Sequence, residues 1–236
     1  MKTLKKTAAV IAALALLYGL LTVGVNILFN DTGWLYKEYL VDLPFVESYY
    51  GISPEDSSRV LSRMMYYSIG RADDLDITIV ENGEEVQFFN ERELSHMRDV
   101  RKLAMTILIC GAAALASGLI VLLIFIIRKD RDSIRTMAKA YLIAFIIALV
   151  VVIALAVWVI VDFDSFWTMF HVVFLDLESS TFDPAESRMI RICPAELFAD
   201  FTGILGNYAA VFDGGFAALS VIYLAVTKKK KNARIQ

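Results

Sequence analysis

The sequence predicts an all-α membrane protein: four transmembrane helices with a small extracytoplasmic α+β cap. Three observations carry this. Of 236 residues, 58% are apolar, too many for a soluble domain of this length. Four apolar runs each supply the roughly 20 residues needed to cross about 30 Å of hydrocarbon. The Lys and Arg residues gather in three short segments around those runs, as the positive-inside rule requires of cytoplasmic loops.

The runs lie at about residues 7–29, 103–127, 140–161 and 208–226, within a single membrane domain covering 1–236. Lys2, Lys5 and Lys6 precede the first, as in a signal peptide. Its apolar stretch is too long for a secretory h-region, and no small-x-small cleavage site follows cleanly, so it reads as an uncleaved anchor. The loop after span two carries Arg128, Lys129, Arg131, Arg135 and Lys139, and the tail carries Lys228 to Lys231 and Arg234. Together with the N-terminal lysines these are thirteen of the 23 basic residues. They predict a multi-pass protein with both termini cytoplasmic.

Residues 30–102 and 162–207 are acidic overall and are expected outside; Arg101 and Lys102, at the outer end of span two, are exceptions. The net charge of −3 thus conceals a basic inner face and an acidic outer one. The run Lys228 to Lys231 reads as an orientation signal and an anchor to anionic membrane lipid. Without aromatic interleaving it offers no nucleic-acid site.

The first outer segment is long enough to fold. Trp34, Tyr36, Tyr39, Phe45, Tyr49 and Tyr50 resemble an interfacial aromatic belt. Ser53-Pro54-Glu55-Asp56 has an N-cap, a proline at N1 and acids in the first turn. The helix it starts is expected to run to Ile69, with Gly70 as its stop. Residues 76–80 alternate, Asn82-Gly83 turns the chain, and 85–89 return, which is a hairpin signal. Asn90 followed by Glu93 makes a capping box for a helix that carries His96 straight into span two. In the second outer segment Phe163, Phe166, Trp167, Phe170 and Phe174 crowd around His171. Asp183-Pro184 predicts a turn, and Cys193-Pro194-Ala195-Glu196 opens a helix ahead of span four.

The chain has only two histidines, and this topology puts both on one side of the membrane near its surface. A group that exchanges protons near neutral pH is scarce here, so the pair suits acid–base chemistry on a lipid-like substrate. The plainer reading makes each an amphipathic side chain at the interface. A metal reading has only Glu93, three residues before His96, in its favour. Asp213, ahead of Gly214-Gly215 in span four, reads as a shallow carboxylate that reaches the cap or caps a broken helix. Cys193 is either a packing residue or an acyl-accepting nucleophile. Cys110 lies inside span two, so no disulfide is expected. Gly111, Ala112, Ala114, Ala116 and Gly118 read as close helix packing.

Two stretches resemble a known family. Phe89-Asn90-Glu91-Arg92-Glu93-Leu94-Ser95-His96-Met97-Arg98-Asp99-Val100 is one. The other runs from Phe170-His171 and Phe174 through Phe182-Asp183-Pro184, Ile190-Arg191, Pro194 and Phe198. Both are similar to motifs of the lipoprotein intramolecular transacylases, bacterial cell-membrane proteins with four spans and an extracellular cap. The resemblance implies that an acyl chain moves from the glyceryl sn-2 oxygen of a diacylglyceryl-lipoprotein to the α-amino group of its N-terminal cysteine, giving the lyso form. It implies His96 and His171 as catalytic, without saying which is the base. Tyr66, Tyr67, Asn90, Glu93, Asp99, Phe170, Phe174 and Arg191 are implied as substrate-binding. No metal, nucleotide or redox cofactor is implied. The chain departs from the pattern at Ser180, where a tryptophan is expected, and at Ser187, where an aspartate is expected, with Glu186 beside it. The alternative is a non-catalytic membrane protein whose cap binds a peptide or lipoprotein.

Overall fold

The computed structural model of the chain describes residues 2–175 and 182–232, with side chains to Lys228. In chain order the helices are α1 Lys2–Asn30, α2 Leu35–Lys37, α3 Phe45–Tyr50, α4 Pro54–Ser68, α5 Glu91–Ile127, α6 Arg131–Val161 and α7 Phe163–Phe174. They continue as α8 Arg188–Ile192, α9 Ala195–Ala209 and α10 Gly215–Asn232. One hairpin, β1 Thr78–Glu81 and β2 Glu84–Gln87, stands before α5. Wider π-type turns follow α2 at Glu38–Asp42 and join α9 to α10 at Ala210–Gly214. The predicted class is borne out: among the described residues four helices are long and apolar enough to cross a membrane, namely α1, α5, α6 and the continuous run Ala195–Lys228.

The chain divides into two compact units. The first holds residues 1–25, 108–156 and 205–236. Its core is Ala9, Ala12, Ala13, Leu16 and Leu17 of α1, with Phe125, Met137, Tyr141 and Ala217. Small residues let α1 and α5 approach closely: a Cβ added to Gly19 would sit 2.6 Å from that of Leu115. Lys5 pairs with Asp130 at 2.7 Å, so the N-terminal basic segment meets the loop after α5. Large apolar side chains such as Ile143, Ile147 and Val151 of α6 face outward, as lipid-facing helix surfaces do. Asp213 does not cap a broken helix, as expected from the sequence. It is buried in the π turn, where the Tyr141 hydroxyl donates to its Oδ1 at 2.8 Å. The extra residue of that turn keeps the helix continuous past Gly214-Gly215.

The second unit holds residues 26–107 and 157–204. Helix α4 begins as its sequence dictates: the Ser53 hydroxyl accepts from the Asp56 amide at 3.1 Å, and Val60, Leu61, Met64 and Met65 form its buried stripe. Gly70 follows with φ +78°, a backbone region open to glycine at little cost. The hairpin pairs Thr78 with Gln87 and Glu81 with Glu84. Asn82 and Gly83 both take positive φ in its turn, as a type I′ turn requires. One expectation is corrected. Tyr39 does not join an aromatic belt; it is buried, and its hydroxyl donates to the Ile192 carbonyl at 2.6 Å. Ser180 lies outside the described residues.

Candidate active site

The site is built on the first part of α5, residues 91–107, and on α7, both within the second unit. Helix α5 starts with the reciprocal capping box read from the sequence. The Asn90 amide donates to Glu93 Oε2 at 2.8 Å, and the Glu93 amide donates to Asn90 Oδ1 at 2.9 Å. This cap fixes the first turn, and His96 follows on the second. Helix α7 is opened by Asp162, whose carboxylate accepts from the Ser165 amide at 3.0 Å. Phe163, Phe166, Trp167, Phe170 and His171 repeat at i, i+3, i+4, i+7 and i+8, and are less exposed than the residues between them. That stripe carries His171 inward.

The two imidazoles meet. Their ring centroids lie 5.7 Å apart with the planes 26° from parallel, and both side chains are buried. Phe182 stands edge-on to His96 at 5.3 Å, and Trp167 edge-on to His171 at 4.6 Å. Phe198 of α9 packs on Trp167 at 4.3 Å. Aromatic rings therefore flank the pair on both sides.

The electrostatics differ between the rings. His171 Nδ1 lies 2.7 Å from the Trp167 carbonyl oxygen. A carbonyl only accepts, so Nδ1 carries a proton, and in the neutral ring the lone pair is on Nε2. His96 stands before the apolar window of its helix, which begins at Leu103. Burial and then the neighbouring His171 push its imidazole down to about 4, with Asp99 opposing them. It is neutral at neutral pH, and its buried Nδ1 has no hydrogen-bond partner among the described residues.

The remaining expected residues are distributed unevenly. Phe170 touches His171 edge-on at 5.6 Å, and Phe174 follows Phe170 at 5.2 Å. Asp99 is one turn beyond His96 on α5. Glu93 is buried and engaged: besides the cap, its Oε1 accepts from the Ser187 hydroxyl at 2.5 Å and the Met189 amide at 3.0 Å. Ser187, the departure from the family pattern, thus supplies a proton where an aspartate would set two carboxylates together. Arg191 is held by Glu81 at 2.9 Å and by the carbonyls of Pro184 and Ala185. Arg188 shares the same Glu81 carboxylate at 2.8 Å.

The Tyr66 hydroxyl bonds Thr32 at 2.9 Å, and Arg71 covers its ring. Tyr67 lines an open cleft of about 380 Å³ with Asp76, Leu94 and Arg98. Leu94 and Arg98 lie two residues either side of His96, about 200° round the helix, so this cleft opens on the other face of α5 from the histidines.

Burial, reinforced by the Glu93 charge, pushes the Cys193 thiol up to about 12, which disfavours the thiolate a nucleophile needs and fits the packing reading. Among the described residues no three His, Cys, Asp or Glu side chains gather as a metal-ligand set. The sequence reading did not single out Trp167, although its carbonyl sets the His171 tautomer. The i, i+4 spacing on an aromatic helix was the available signal.

A family model for the lipoprotein intramolecular transacylase Lit matches residues 10–198. A solved structure of the membrane-integral lipoprotein intramolecular transacylase Lit from Bacillus cereus aligns with 98% of this chain and 99% of its own. It does so at 15% identity with a TM-score of 0.73. Two structures of the same protein with one histidine replaced, by arginine and by alanine, align at 17% and 16% identity. Their TM-scores are 0.68 and 0.69, over 98% of this chain and 96% of theirs. At such identities the likeness is one of fold. No curated protein matches the chain.

Proposed function

This chain belongs to the lipoprotein intramolecular transacylase family, and from that membership we propose that it moves the sn-2 acyl chain of a diacylglyceryl-lipoprotein to the α-amino group of the N-terminal cysteine. The observation that carries the reading is the buried pair His96 and His171, 5.7 Å apart, flanked by aromatic rings. His171, with Nδ1–H given to Trp167, has Nε2 free as the base. His96, neutral and buried, supplies the N–H.

In the step proposed, the neutral amine attacks the sn-2 ester carbonyl, and the C–N bond forms as the carbonyl π pair moves to oxygen. His171 Nε2 takes the ammonium proton. The oxyanion then collapses, the sn-2 C–O bond breaks, and the departing alkoxide receives a proton from His96 N–H. A proton passed from His171 to His96 restores both rings. Nothing is consumed, and the product keeps the substrate's mass. Because amine and ester belong to one molecule, folding that molecule into a near-attack geometry supplies much of the rate. The aromatic walls exclude the water that would hydrolyse the ester. Asp99, Phe170 and Phe174 border the pair on the substrate side.

The same reading places both termini in the cytoplasm and residues 30–102 and 162–207 outside, at the surface of a bacterial cell membrane, with membrane lipid around the four spans. Two measurements test it. Cells with and without the protein are compared by fragmentation mass spectrometry of a lipoprotein N-terminal peptide: one acyl chain should move to the amine with no change in total mass. No shift leaves only a non-catalytic binder. In a Cys110→Ala, Cys193→Ala background, Glu55→Cys and Glu186→Cys should react with an impermeant thiol reagent in intact cells, while Asp132→Cys should not. The reverse pattern overturns the topology.

A further inference from the structure

Helix α7 has a second face that the histidine pair does not use. Opposite the aromatic stripe it presents Asp164, Ser165 and Thr168 early, then Met169, Val172 and Val173 late. All are exposed; Val172 and Val173 leave 52% and 60% of their surface uncovered. On a soluble surface such a cluster would be a liability.

The last residues of α6, which belong to the same unit, are apolar and bare as well. Helix α6 ends at Val161 with Ile160 and Val161 almost bare, at 83% and 78%. Only Asp162 separates it from α7. A single residue advances the chain by 3.8 Å, so α7 starts at the depth where α6 leaves the hydrocarbon. Its outer face is polar in the first turn and apolar in the last two. A helix of this pattern, with acids at its start and aliphatic side chains at its end, lies in the interface and tilts its later turns toward the acyl chains.

We propose that α7 is an interfacial helix whose Met169, Val172 and Val173 rest in the outer lipid leaflet, so that the bilayer sets the depth of His171. His171 shares the later turns with those three residues. The glycerol esters of a membrane-anchored lipid lie at this same boundary between headgroup and acyl chain. The arrangement therefore holds the base level with the ester it serves. This rests on the transacylase reading for its purpose, but not for its geometry.

The test separates the two. Full-length protein carrying Cys110→Ala and Cys193→Ala receives a nitroxide label at Val172→Cys, Val173→Cys or Asp164→Cys, in vesicles of phosphatidylethanolamine and phosphatidylglycerol. Power saturation then compares dissolved oxygen with a water-soluble nickel chelate. At 172 and 173 oxygen should be the stronger relaxant; at 164 the chelate should be. A chelate-dominated signal at 172 and 173 overturns the proposal, as does access by neither relaxant, which would mean that protein covers the face. As an independent check, Val172→Lys should lower lipoprotein conversion between about tenfold and a hundredfold at unchanged Tm, while Val172→Leu keeps it. Unaltered conversion in the Lys variant overturns the depth role. Lipid exposure at 172 and 173 in a protein with no conversion at all would instead retire the transacylase reading and leave the interfacial helix standing.

Discussion

The rings of His96 and His171 stack 5.7 Å apart, though 75 positions separate them in the chain. If, as proposed, both serve one reaction, they act as a unit. His96→Ala and His171→Ala should each lower conversion by about 10²- to 10⁴-fold, the range of general acid–base catalysis. The double variant should be no worse than the weaker single one. Asn at either position should not rescue, because an amide does not exchange protons near neutral pH. Mass spectrometry of a lipoprotein N-terminal peptide reads all five; wild-type turnover in either alanine variant removes that histidine from the mechanism.

The His96 imidazole, held down to about 4, should stay neutral from pH 8 to pH 5. Its ring carbon shifts in selectively labelled protein should show no titration near 6.5. The same depression has a stability consequence. Because the folded value lies below the unfolded one, the stabilisation from burying a neutral ring is fully present above pH 6.5 and is lost as pH falls toward 4. Tm should therefore decline through that window, and His96→Phe should flatten the decline. A titration of His96 at an ordinary histidine value contradicts the burial that causes it.

Glu93 depends on a proton from Ser187. Ser187→Ala leaves the buried carboxylate short of one donor and should cost about 1–3 kcal/mol, read as a lower Tm. Ser187→Asp sets two carboxyl groups together, so one must stay protonated. Its Tm should fall most at pH 8 and recover toward pH 5. A Tm of Ser187→Asp that does not change with pH relative to wild type would mean that the two side chains part.

Arg191 is tied to Glu81 and to two loop carbonyls. If that bracing is its part, Glu81→Ala and Arg191→Ala should destabilise non-additively, with a coupling of about 0.5–3 kcal/mol in a double-mutant cycle. Both should affect conversion through loss of folded protein. An Arg191→Ala variant that raises KM while Tm and the Glu81→Ala protein stay normal would return Arg191 to the substrate.

The local chemistry was readable where a pattern closes within a few residues. The Ser53 cap, the Asn82-Gly83 turn and the Asn90–Glu93 box all form as their spacing requires, because both partners lie on the same turn. Helix α7 was legible too, in Asp162 and the repeat from Phe163 to His171, but aromatic crowding obscured the 3.6-residue period. Tyr39 was misread for another reason: an aromatic ring fits an interface and a core equally well, and only the Ile192 carbonyl decides between them.

By itself the sequence determined the four apolar helices, the small hairpin and the two histidines, since hydropathy, turn chemistry and residue scarcity are properties of the chain alone. Tertiary structure decided what those residues do. Glu93 meets Ser187 across 94 positions and Arg191 meets Glu81 across 110, separations that no local period encodes. It also decided that His96, set against His171 and Phe182, is stripped of water. Burial holds that ring neutral, and burial exists only once distant segments have packed.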